Sequence, residues 1–136
     1  MNKPIVETLE QKRAAHTLEQ QRAAHAWKCC QPTCQPAYQN LAKGLPALIM
    51  NSGLMQVLVF LHEKGNKDTH HKLLGEHLRN WLHERFKQNL PSAQFDLFMN
   101  GLMEAPPHTF QMITTEAFAW LRWLRQMAPA ASHGEK

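Results

Sequence analysis

His25, Cys29, Cys30 and Cys34 lie close together and are the residue types that zinc takes in a tetrahedral cage. His25 and Cys29 stand one helical turn apart, a workable spacing for a shared ion. Cys29 and Cys30 are neighbours, so on a helix their side chains diverge by about 100°. No second Cys or His pair follows at a standard ligand spacing. The group therefore reads as one core cysteine and two loop cysteines, with no metal and no cofactor. Three cysteines also make no disulfide framework, which fits a reducing cytoplasm.

Five of the nine histidines stand at positions 62, 70, 71, 77 and 83. His62-Glu63 and His83-Glu84 open like a HExxH zinc motif, but neither has the second histidine. They read as solvated residues of helix surfaces, able to make anion binding pH-sensitive. No GxxxxGK[ST] phosphate loop and no GxSxG elbow is present. The eleven acids are scattered singly, with no dyad of the kind a nuclease or glycosidase needs. Cys34 has no identifiable base to activate it as a nucleophile. The residues point away from an enzyme.

The cations are the remaining candidates. The net charge is +4, a modest excess. Lys43, Arg79, Arg85, Lys87, Arg122 and Arg125 could line one groove for nucleic-acid phosphates if their helices pack side by side. The same residues would also serve as ordinary solubilising charge.

Those side chains need elements to carry them, and the pattern is helical throughout. Leu45 to Leu61, LPALIMNSGLMQVLVFL, is apolar on nearly every side yet contains Asn51, Ser52, Gly53 and Gln56. It is shorter than the ~20 residues that span a membrane, so it reads as a central helix wrapped by other helices. Pro46 sits in its first turn and Gly65 ends it. Upstream, Ala37 to Lys43 forms one or two turns, after a break at CCQPTCQP. Downstream, Asp68 caps a helix to about Asn89. That helix has Leu74, Leu78, Trp81, Leu82 and Phe86 on one stripe and Arg79, Arg85 and Lys87 off it. Pro91 and Ser92 start another, with Phe95, Phe98, Met99 and Leu102 inward. Pro106 and Pro107 end it, and Phe110 to Ile113 forms a short turn of helix.

Thr114-Thr115-Glu116 begins the last helix with a cap and an acid suited to its dipole. It buries Ala117, Trp120, Leu121, Leu124 and Ala128. Pro129 stops it, and the tail AASHGEK is expected to be disordered.

The N-terminus holds a tandem repeat, TLEQKRAAH at 8–16 and TLEQQRAAH at 17–25. A nine-residue step turns a helix by about 900°, so the copies face opposite sides. The expectation is one long helix whose first copy projects into solvent. The second copy then leads Ala26, Trp27 and Cys30 toward the core. With no apolar leader after Met1, no signal peptide is expected. The expected fold is all-α, a compact single-domain bundle of about six helices around a buried central helix. Residues 1–19 form a helical extension, 20–128 the domain and 129–136 the tail.

Two segments together carry a family resemblance. Tyr38 to Phe60, YQNLAKGLPALIMNSGLMQVLVF, resembles the signature of the small subunit of the type III-B CRISPR effector, the Cmr complex. Thr114 to Ala128, TTEAFAWLRWLRQMA, resembles the closing helix of that family, with its Thr-(Arg/Thr)-Glu-Ala start. The likeness runs from about Gln20 to Ala128; the first repeat copy, the cysteine loop and the many histidines depart from it.

The resemblance implies a non-catalytic subunit that acts in antiviral defence. Copies would stack into a filament beside the guide-RNA-bearing backbone subunits and hold target RNA along the guide. Contact would be through phosphates, with no membrane partner. Lys43 and Arg125 fall where the family pattern is basic. Gly53 is assigned to close helix packing. Asn51 and Gln56 are assigned to hydrogen bonds across the bundle or between subunits, Asn51 reading first as a satisfied buried amide. The rival reading is a helical protein-interaction adaptor without direct RNA binding, docking through an exposed Phe118 and Trp123.

Overall fold

The protein is seen here in a computed structural model, which describes residues 15–32 and 34–133. Its described residues form six helices and no strand, the expected all-α bundle. They are α1 (Leu18–Cys29), α2 (Pro36–Ser52), α3 (Leu54–Lys64), α4 (Thr69–Arg85), α5 (Phe95–Glu104) and α6 (Pro107–His133). The first repeat copy lies almost wholly outside the described residues.

The second copy starts its own helix. Thr17 is extended, at φ −67° and ψ 160°, so it does not continue a helix from the first copy as expected. It closes a capping box instead: Thr17 Oγ1 accepts from the Gln20 N–H, and the Thr17 N–H donates to Gln20 Oε1. Ala26 and Cys30 turn inward as foreseen, whereas Trp27 stays 41% exposed.

The expected central helix is two helices. α2 already begins at Pro36, where a proline needs no N–H, and it carries Pro46 in its interior. It ends at Gly53, whose φ of 86° and ψ of 158° are open essentially to glycine alone. The Gly53 N–H donates to Ile49 O at 2.7 Å, and Gly53 O accepts from the Val57 N–H at 3.2 Å. One residue thus closes α2 and opens α3.

Tyr38, Ala42, Leu45 and Ile49 of α2 and Leu54, Val57, Leu58 and Leu61 of α3 are buried. Leu48, Met50 and Val59 face solvent, so neither helix is wrapped on all sides.

Asp68 caps α4 by accepting from the N–H groups of His70 and His71. Leu74, Leu78, Trp81 and Leu82 of the predicted stripe are buried, whereas Phe86 caps the end of the helix and is half-buried. The helix ends at Arg85 rather than near Asn89. α5 starts at Phe95, later than Pro91, and buries Phe98, Met99 and Leu102. A Cβ on Gly101 would stand 2.4 Å from Asn89 O, so only glycine lets α5 lie on the turn that follows α4.

α6 departs most from expectation. Pro106 and Pro107 open it rather than isolate a short turn, and it runs unbroken through Thr114 and Pro129 to His133. The predicted tail therefore starts as helix. Ala131 is buried, and the Ser132 hydroxyl donates to Cys34 O and accepts from Gln39 Nε2. This ties the end of α6 to the turn before α2.

α6 packs on α1, α2 and α4. Ile113, Ala117, Trp120, Leu121 and Leu124 on it are fully buried. No helix among the described residues is long and apolar enough to cross a membrane.

Candidate nucleic-acid interface

A buried carboxylate holds three helices together. Glu116, on α6, is only 5% exposed. Arg22 of α1 donates to it from two nitrogens, Nε at 2.6 Å and Nη2 at 2.8 Å, the fork that makes an Arg–carboxylate pair strong. Trp81 of α4 donates Nε1–H to it at 3.1 Å. Arg85 Nε is buried without a hydrogen bond, 3.9 Å from the same carboxylate. Its bond to Glu116 holds the Arg22 guanidinium above its usual range.

Local sequence pattern assigns Glu116 to the first turn of a helix starting at Thr114, serving its dipole. It stands well inside α6, where it serves as the anchor for α1. A signal for this was present: Ile113, Glu116, Ala117, Trp120, Leu121 and Leu124 form one inward stripe at helical spacing.

His25 sits beside this anchor. Trp120 Nε1–H donates to its Nδ1 at 2.9 Å, and the ring lies 5.0 Å from that of Trp81. Burial pushes its pKa down to about 4, so it is neutral at neutral pH. The neighbouring thiols of Cys29 and Cys30 are pushed up to about 12 by the same loss of water. Cys30 and Cys34 are both buried and Cys29 is half-buried on α1, so one core and two loop cysteines is not the arrangement found. Among the described residues no group of three His, Cys, Asp or Glu side chains is placed to hold a metal ion.

The histidines are less solvated than expected. His77 Nδ1 shares a 2.8 Å hydrogen bond with the Tyr38 hydroxyl, and burial lowers its pKa. His83 Nδ1 lies 2.6 Å from Leu90 O.

The six candidate cations separate into two kinds. Lys43 on α2, Lys87 just after α4, and Arg122 and Arg125 on α6 are exposed. Arg85 is drawn toward Glu116, its guanidinium 5.8 Å from the Phe86 ring centre. Arg79, expected off the apolar stripe, is 7% exposed and donates Nε–H to Ala93 O at 3.1 Å. Arg122 lines a groove with Glu19, Arg22 and Trp123, while Arg79 lines different grooves on the side of α3 and α5. One shared channel for all six is not what the fold builds.

At the α2–α3 joint the assignments to the interior of the bundle change. Asn51 is exposed, not a buried amide, and Gln56 is exposed beside Leu48, Ser52, Val57 and Phe60. A Cβ on Gly53 would meet nothing within 4 Å, so its role is the backbone turn and not close packing. Phe118 and Trp123, expected to be exposed docking aromatics, are half-buried against the core.

A sequence model of the family described as CRISPR-associated protein (Cas_Cmr5) matches residues 18–131. The match opens at the first residue of α1 and closes at Ala131, two residues before the end of α6. It therefore takes in the Arg22–Glu116 anchor and the exposed cations alike. The chain belongs to the Cmr5 family, the small subunit of the type III-B CRISPR Cmr complex, in which it stands with other subunits.

Proposed function

We propose that this protein is a non-catalytic subunit that stacks in copies beside the guide-bearing backbone subunits and holds target RNA along the guide, in the cytoplasm, as part of antiviral defence. The observation that carries this reading is family membership across nearly all of the described helices. The exposure of Lys43, Lys87, Arg122 and Arg125 supports it, since phosphate contacts need cations free to meet the strand. Such contacts position RNA without reading its bases.

Binding of unstructured RNA of about 40 nucleotides across a salt series tests this. Affinity should fall with salt, and loss of two phosphate contacts in the Arg122→Ala/Arg125→Ala variant should flatten the log–log slope by roughly 1.4. Binding that ignores salt, or a slope unchanged in the variant, overturns the phosphate role. Docking through half-buried aromatics would give that salt-insensitive result.

A further inference from the structure

Two grooves meet at Arg79. The larger, of about 510 Å³, opens between α3, α4 and the start of α5, and its size falls in the range of ligand sites. Two rings border it. His62 lies flat on Phe95, with centroids 3.7 Å apart and planes 5° from parallel. His62 is exposed, so a further ring can join this stack. Arg79 stands 5.4 Å from the centre of the Phe95 ring.

The guanidinium is built into the groove. Arg79 is 93% buried by its 7% exposure, and its one hydrogen bond among the described residues is from Nε to Ala93 O. An arginine carries five N–H donors, so most of them remain to be used. Burial lowers its pKa, the sign of a cation held away from water.

The surrounding polar groups argue against a phosphate. Glu76 and Asp96 line the larger groove with Arg79, and Lys72 lines the smaller one beside it. Two carboxylates against two cations leave no excess positive charge to draw an anion. Asn80 and Gln94 add amides, each both donor and acceptor. Stacked rings, a fixed guanidinium and mixed donors and acceptors suit a flat, neutral heterocycle with a hydrogen-bonding edge.

We propose that this groove takes one unpaired RNA base, its ring added to the His62–Phe95 stack and its edge hydrogen-bonded by Arg79. This rests on the reading that RNA is a partner, and it moves Arg79 from phosphate contact to base contact.

The test is an NMR titration of the ¹⁵N-labelled full chain with adenosine and uridine 5′-monophosphates, with ribose 5-phosphate as the base-free control. The nucleotides should shift the signals of His62, Arg79 and Phe95, and ribose 5-phosphate should not. His62→Ala, at an exposed position, should weaken nucleotide binding about tenfold while the ¹⁵N spectrum away from the groove stays that of the folded chain. Equal shifts from ribose 5-phosphate, an unmoved groove, or unchanged affinity in His62→Ala each overturn the proposal. So does a groove that responds to N-acetyltyrosinamide and not to nucleotides, which would mark it as a protein-docking site. If the groove fails while RNA binding through Arg122 and Arg125 keeps its salt dependence, this inference falls and the phosphate-holding role stands.

Discussion

At Glu116 one buried carboxylate ties α6 to α1 and α4. The Thr-Thr-Glu-Ala run resembles a helix start, and local rules assign an acid there to the dipole. Its real partners, Arg22 and Trp81, come from helices distant in the chain and are invisible to local rules. Removing one member of a buried pair leaves the others unpaired, so Glu116→Ala should lower stability by roughly 3 kcal/mol in urea unfolding. A loss under about 1 kcal/mol would contradict the anchor.

His25 gives a pH prediction. Its folded-state pKa, about 4, lies below the ordinary value of 6.5, so the unfolded chain takes up this proton more readily. The stability it confers is complete above about pH 6.5 and is lost as pH falls toward 4. His77, lowered in the same direction by burial, adds to the trend. His25→Gln should therefore flatten, without abolishing, the fall in melting temperature between pH 6.5 and 4. An unchanged pH profile would contradict a neutral, buried His25.

At the scale of elements, α4 and α5 were legible because their signals are local: the Asp68 cap, a clean apolar stripe and an inward Phe98–Met99–Leu102 face. The ends of α2 and α6 were not, because a proline marks a helix boundary by local rules. Pro46 and Pro129 lie inside helices whose neighbouring turns bury Leu45, Ile49, Ala128 and Ala131. That burial outweighs the cost of a missing N–H.

The break fell instead at Gly53, which an apolar run conceals and only its backbone angles reveal. Gly53→Ala should cost about 1–3 kcal/mol through backbone strain alone, since its Cβ would touch nothing. A neutral result in chemical denaturation would contradict the junction. Truncation after Ala130 removes buried Ala131 and the Ser132 bonds to the Cys34 turn. It should destabilise by about 1–2 kcal/mol, whereas a dispensable tail would leave the unfolding midpoint unmoved.

On the scale of the whole molecule, the net charge of +4 matters less than where the charges sit. Of the six candidates, Arg85 is drawn to Glu116 and Arg79 is sunk in a groove, which leaves Lys43, Lys87, Arg122 and Arg125 on the surface. The sequence could name all six as cations. It could not sort them, because the sorting depends on which helices meet. Fold class and family were legible because apolar spacing runs the length of the domain and two long motifs stand in its first half and at its end. The division between structural and surface arginines follows only from tertiary packing.

The most direct measurement is target-RNA release from the assembled complex. The other Cmr subunits and guide RNA would be combined with either the wild-type chain or one carrying Lys43→Ala, Lys87→Ala, Arg122→Ala and Arg125→Ala. The variant is expected to assemble but to release target RNA roughly tenfold faster at low salt, with the difference shrinking as salt rises. Equal release rates from fully assembled complexes would contradict a role for this subunit in holding the RNA.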